Sequence, residues 1–174
     1  LQITDIREFR SYAEEYKYLV TDSERIDWLA DKVKEIVKTG NTLVLVNRID
    51  TGKMLIDRIK DSVFISGEVK TKDRKDEYDE VKTSDDKIII ATYGVAAVGI
   101  NIPRIFNLVL VEPGKSFVRV IQSIGRGIRK AEDKDFVQIW DITSTCKYAK
   151  RHLTERKKFY KDAKYPFLVT KTNI

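Results

Sequence analysis

The sequence contains one cysteine (Cys146), one histidine (His152), one methionine (Met54) and three prolines in 174 residues. A lone thiol forms no internal disulfide, and with a single imidazole it cannot complete a zinc site. Disulfide and zinc scaffolds are therefore excluded, and a reducing compartment is expected. No apolar run approaches the roughly 20 residues that span a bilayer, and no signal-peptide pattern opens the chain. The expectation is a cytoplasmic protein with no membrane partner. The sequence starts at Leu1 and its methionine stands at position 54, which suggests a segment of a longer polypeptide. A complete phosphate-cradling glycine loop is also missing. Pro113-Gly114-Lys115-Ser116 imitates the end of one, but such a loop needs a glycine five residues before its Gly-Lys pair, and Val109 stands there.

What is present describes a globular domain. Hydrophobic residues make up 42% and charged residues 34%, which separates the chain from disordered sequences. Its length suits one compact domain. Charge is unevenly spread: residues 1–113 carry 18 Lys/Arg against 21 Asp/Glu, and residues 114–174 carry 15 against 6. A basic last third suits a polyanion such as nucleic acid, although a solvated lysine-rich helix surface would read the same way.

After an irregular lead-in over residues 1–20, Asp22 or Ser23 can cap a helix whose apolar positions are Ile26, Leu29, Ala30, Val33, Ile36 and Val37, with Gly40 as its stop. Thr42–Asn47 reads as a buried strand, and a helix over residues 51–60 turns Met54, Leu55 and Ile59 inward. Strands are predicted at Val63–Ser66, Lys87–Thr92, Phe106–Val111 and Val137–Ile142. Helices are predicted over residues 72–82 and 117–130, and a glycine-containing segment over residues 94–103. Continuously apolar strands alternating with helices imply an α/β fold with a mostly parallel sheet covered on both faces, whose ligands sit at the carboxyl ends of the strands. A last helix over residues 145–164 offers Ala149, Leu153, Phe159, Tyr160 and Ala163 for packing. Its other faces carry Lys147, Lys150, Arg151, Arg156, Lys157, Lys158 and Lys161, and a short strand at Phe167–Thr170 could close the chain. The acidic group Asp76, Glu77, Asp79 and Glu80 is interspersed with lysines and reads as a solvated helix face rather than a metal site.

One helical stripe carries chemistry. Gln122, Arg126 and Arg129 are spaced by four and three, so an amide and two guanidiniums share one side of a helix. Gly125 and Gly127 each cost this helix nearly ~1 kcal/mol relative to alanine, which suggests a close backbone approach. Paired planar forks match the oxygens of a triphosphate, while pairing with surface carboxylates is the plainer alternative.

Gln122-x-x-Gly125-Arg126-x-x-Arg129 resembles motif VI of superfamily 2 helicases. Ala91-Thr92-Tyr93-Gly94, continuing to Gly99-Ile100-Asn101-Ile102-Pro103, resembles motif V; Leu43–Arg48 resembles motif IV, and Ile65-Ser66-Gly67 with Arg74 resembles motif IVa. The likeness covers residues 21–142, and the chain resembles phage recombination and repair helicases of the UvsW type. This likeness extends into the basic helix and the closing residues 169–174.

This resemblance implies a RecA-like three-layer α/β/α lobe at residues 21–144, the second of two, with the basic helix and tail over residues 145–174 packed on it. It implies an ATP-dependent motor acting on branched DNA as a monomer, with ATP and Mg2+ held mainly by the first lobe of the same polypeptide. Arg129 would be the arginine finger, Arg126 would contact the same γ-phosphate, and Gln122 would orient the nucleotide or attacking water; Gly99 and Asn101 would face the nucleotide. Many relatives carry aspartate where Asn101 stands, so its role there loses a charge. Thr92, Tyr93, Gly94, Ser66, Gly67 and Arg48 would contact the DNA backbone, joined by Lys150, Arg151 and Lys157 of the basic helix. Lacking both the phosphate loop and an acidic magnesium box, the chain should not hydrolyse ATP alone. A second reading is a non-catalytic α/β module that binds nucleic acid or protein through its basic helix.

Overall fold

The computed structural model describes residues 1–67, 85–97, 104–114, 117–118, 120–122 and 137–174. The strands are β1 (Gln2–Ile3), β2 (Thr42–Val46), β3 (Val63–Ile65), β4 (Ile88–Thr92), β5 (Asn107–Val111), β6 (Gln138–Ser144) and β7 (Lys171–Thr172). They form one sheet in the order β3-β4-β2-β5-β6-β1-β7, and every pairing is parallel. The helices are α1 (Tyr12–Thr21), α2 (Ser23–Ile36), α3 (Ile49–Arg58), α4 (Tyr93–Ala97) and α5 (Lys147–Asp162). Residues 117–118 and 120–122 are also helical. None of the described helices is long and apolar enough to cross a membrane.

The continuous apolar strands are buried on both faces, as their composition predicts. Leu43, Leu45, Ile89, Ala91, Leu108 and Leu110 point into one core with Phe117, Val120, Ile121 and Tyr160. The alternate residues Val44, Val46, Ile88, Ile90, Val109 and Val111 point into a second core with Ile26, Leu29, Val33 and Leu55. A helical layer on each side makes the three-layer α/β/α arrangement. Each fully buried aliphatic side chain contributes roughly 1.5–3 kcal/mol of hydrophobic stabilisation.

Local signals set the element ends. Asp22 is the cap of α2, its carboxylate accepting from the Arg25 amide at 3.1 Å. Gly40 stops the following 3-10 turn at φ 143°, where a Cβ would lie 2.7 Å from that of Phe106.

Three expectations are corrected. Residues 1–20 are not an irregular lead-in. Gln2 and Ile3 form an interior strand between β6 and β7, and Ser11 caps α1 by accepting from the Glu14 amide. The closing strand is Lys171–Thr172 rather than Phe167–Thr170, because Gln2 and Thr4 donate to the Thr170 and Thr172 carbonyls at 2.8 Å. Arg156, expected on the solvated face of the basic helix, is 2% exposed and tied to Asp141.

Candidate nucleotide and nucleic-acid interface

Parallel pairing brings the carboxyl ends of β2, β3, β4, β5 and β6 to one edge. The chain leaves β2 through α3 on one face of the sheet and leaves β5 toward the helical residues 117–118 and 120–122 on the other. Connections diverging from neighbouring strands open a crevice between them, the usual ligand position of such sheets. Asn47 and Arg48 stand on one side of it and Glu112, Pro113 and Gly114 on the other.

The edge collects the motif residues unequally. Thr92 ends β4 half-buried, and its hydroxyl accepts from the Val95 amide at 3.4 Å, opening α4. Gly94 is exposed, with open space where a Cβ would be. Tyr93 is a correction to the expected DNA contacts: it is buried, and its hydroxyl donates to the Val111 carbonyl at 3.1 Å. That phenol, raised well above its ordinary pKa by burial, is a core group and its side chain offers nothing to a phosphate. After β3, Ser66 is buried and Gly67 exposed. Arg48, the cap residue of α3, forms a fork on Asp50 at 2.9 and 2.8 Å, and these hydrogen bonds hold the Asp50 carboxyl below the usual range. A phosphate at Arg48 therefore competes with Asp50.

The helix opening after Pro113 buries Phe117, Val120 and Ile121 and exposes Gln122. Its remaining candidates, Arg126 and Arg129, lie outside the described residues, as do Gly99, Asn101 and Arg74. On α5, Lys150 and Arg151 are exposed and Lys157 is half-buried.

Two buried ionic groups were not anticipated. Arg156 donates to both Asp141 oxygens, at 2.7 and 2.9 Å, and to the Pro113 carbonyl at 3.0 Å; Tyr160 donates to Asp141 at 2.7 Å. Phe117 stacks edge-on against Phe159 at 5.1 Å and Tyr160 at 5.9 Å. Helix α5 thus grips the start of the Gln122 helix by one guanidinium and two rings. The available signal was Asp141, a lone acid within the apolar strand Ile139-Trp140-Asp141-Ile142, which demands a buried partner.

The second group lies beneath the crevice. Glu112, at φ 43°, accepts from the Thr143 hydroxyl at 2.9 Å and faces Arg25 at 3.6 Å. Burial pushes its pKa up to about 7, with Arg25 and Thr143 opposing. Arg25 also pairs with Asp5 at 3.4 Å.

Comparison with known proteins follows this geometry. The family model for the helicase conserved C-terminal domain matches residues 24–131, well over half of the chain. The chain belongs to the helicase C-terminal domain family. Among curated relatives, this helicase domain is 28% identical to the ATP-dependent DNA helicase uvsW of Enterobacteria phage T4, over 95% of the chain and 37% of that protein. It is 26% identical to putative helicase 22 of a Sulfolobus islandicus filamentous virus, over 80% of the chain and 26% of that protein. The domain therefore spans well under half the length of these relatives. Among solved structures, T4 UvsW superposes with a TM-score of 0.84 at 24% identity, over 99% of the chain and 40% of UvsW. The C-terminal domain of the DEAD-box protein Dbp5 superposes at 0.60 and 17% identity, over 99% of the chain and 88% of that domain. These superpositions establish the RecA-like α/β fold of the helicase domain.

Proposed function

We propose that this helicase domain is the second motor lobe of an ATP-dependent superfamily 2 DNA helicase that works on branched DNA by unwinding, branch migration and fork regression. The observation that carries the reading is the family match over residues 24–131, which contains every motif segment from Leu43 to Arg129. Likeness to a phage DNA helicase over 95% of the chain supports DNA as the substrate and a host-cytoplasmic site of action.

The donor set suits a phosphate: the exposed Gln122 opens a stripe continued in sequence by Arg126 and Arg129. Bound ATP, with magnesium, supplies the phosphoanhydride bond and is held mainly by a first lobe. From this chain, Arg129 and Arg126 would bind the γ-phosphate as planar forks, and Gln122 would orient the nucleotide or the attacking water. Gly99 and Asn101 would line the nucleotide. Thr92, Gly94, Gly67, Ser66 and Arg48 would meet the DNA backbone along the carboxyl edge, and Lys150, Arg151 and Lys157 would add charge from α5. Closure of two lobes over the nucleotide would shift that edge and couple hydrolysis to stepping.

The test uses the polypeptide carrying both lobes. DNA-stimulated ATP hydrolysis is expected, and Arg129→Ala abolishes turnover while a fluorescent ATP analogue still binds. Full turnover by that variant removes the assigned role. Absence of any upstream phosphate-loop lobe in the gene replaces the motor reading with a binding module.

A further inference from the structure

Helices α1 and α5 each carry an aromatic pair spaced by four residues, Tyr12 with Tyr16 and Tyr148 with His152, and the fold turns the pairs toward each other. The Tyr12 ring is central, its centroid 5.7 Å from Tyr16, 5.9 Å from Tyr148 and 5.1 Å from His152. The cluster lies beside the crevice between β2 and β5. Asn47, immediately after β2, donates to the Tyr16 hydroxyl, and the field of Glu112, after β5, reaches Tyr12.

Packing alone does not account for these rings. Helix α1 is already fastened to α5 by the buried Glu15 carboxylate, which accepts from the Tyr148 and Ala149 amides at 3.0 and 2.7 Å, and by Leu19 against Cys146 and Ala149. Tyr12 nevertheless remains 41% exposed. Cations border the neighbouring Tyr148 ring: Lys147 Nζ lies 5.4 Å and Arg151 Cζ 5.8 Å from its centre, and both side chains are exposed. The acids nearby are accounted for. Glu15 is spent on the α5 amides, Asp50 on Arg48, Glu112 on Arg25 and the Thr143 hydroxyl, and Glu14 stands two residues from Tyr12, about 200° around the helix. An exposed ring set against two half-buried ones and bordered by cations beside the crevice suits a single-stranded nucleic acid, because bases stack on aromatic faces while phosphates take the charges.

We propose that Tyr12, Tyr148 and His152 form a base-stacking platform for a single-stranded stretch of nucleic acid, with Lys147 and Arg151 holding the adjacent phosphates. The platform rests on the reading that the carboxyl edge faces nucleic acid, and adds to it a contact with bases rather than backbone. It lies outside the motif segments and uses α1, which precedes the residues matched by the family model.

The experiment measures, by fluorescence anisotropy, binding of the chain to a 12-mer of thymidylate and to an abasic 12-mer of equal charge. The expected result is about ten-fold tighter binding of the thymidylate strand. The double variant Tyr12→Leu/Tyr148→Leu should bring that ratio close to one while leaving the abasic affinity and its salt dependence unchanged, and the phenylalanine pair should retain the preference. Lys147→Ala/Arg151→Ala should weaken both strands alike. Thermal melting of each variant reports its folding. As a measurement independent of the variants, a strand carrying 5-iodouracil should photocrosslink to peptides containing Tyr12, Tyr148 or His152. Equal binding of both strands by the unaltered chain, an unchanged ratio in the leucine variant, or crosslinks confined elsewhere overturns the platform but leaves the backbone contacts standing. Failure of both strands to bind overturns the nucleic-acid reading of the edge as well.

Discussion

Arg156 and Asp141 form a two-pronged ion pair that joins α5 to β6, at 2.7 and 2.9 Å, with the guanidinium 2% exposed. Its third donation, to the Pro113 carbonyl, ties the pair to the turn that launches the Gln122 helix. Removing one partner of a buried pair strands the other charge, at a typical cost of roughly 3–5 kcal/mol. Arg156→Ala should therefore destabilise the chain by about 3 kcal/mol in urea unfolding. Arg156→Lys should recover only part, since a single ammonium cannot reproduce the fork. The exposed Lys158→Ala should change stability by less than about 0.5 kcal/mol. Equal effects at Arg156 and Lys158 would contradict the buried pair.

Glu15 closes the start of α5 from another helix. Cys146 occupies the cap position without a side-chain bond, and the Glu15 carboxylate takes the Tyr148 and Ala149 amides instead. Glu15→Ala should cost about 1–2 kcal/mol, in the range of a lost cap. Glu15→Gln, keeping one acceptor, should cost less. Amide exchange at Tyr148 and Ala149 should quicken in the alanine variant before the rest of α5 does.

Glu112 gives the stability a pH dependence of unusual sign for a carboxylate. Its folded pKa is raised from 4.5 to about 7, burial being the largest cause. Below pH 4.5 both folded and unfolded chains hold the proton. Between 4.5 and 7 the unfolded chain releases it first, so stability falls as pH rises through that window. The full span corresponds to an order of 3 kcal/mol. Glu112→Gln should remove this slope, and its stability relative to the unaltered chain should be greater at pH 7.5 than at pH 4.5. Carbon-13 titration of the Glu112 carboxyl should show a midpoint near 7, and a midpoint near 4.5 would remove the basis of the prediction.

Gly40 holds φ at 143° against the Phe106 Cβ. Alanine there meets both a disfavoured backbone and a close contact, so Gly40→Ala should destabilise by more than about 1 kcal/mol. Gly67→Ala, with open space around it, is the control and should be close to neutral. Thermal unfolding of the two variants compares them directly.

Local chemistry alone made much of this domain legible. The apolar runs from Thr42 to Val46 and from Asn107 to Val111 could satisfy their composition only inside a two-sided parallel sheet, and Gly40 could only be a stop. The spacing of Gln122, Arg126 and Arg129 suited a triphosphate; the helicase reading came from the resemblance of the ordered motif segments to superfamily 2, and the family match over residues 24–131 agrees. Periodicity and motif spacing lie within a few residues of one another, where covalent geometry already dictates which side chains share a face. The partners that only tertiary structure could choose lie far apart in sequence. Gln2 and Ile3 become a strand because Ser144 and Thr172 flank them, more than 140 residues away. Arg156 looked like one more solvated cation until β6 brought Asp141 beneath it, and Tyr93 looked like a contact to the DNA backbone until the Val111 carbonyl took its hydroxyl. Burial of a polar side chain is favourable only when a complementary group meets it. That meeting is a property of the folded sheet, not of any local stretch of sequence.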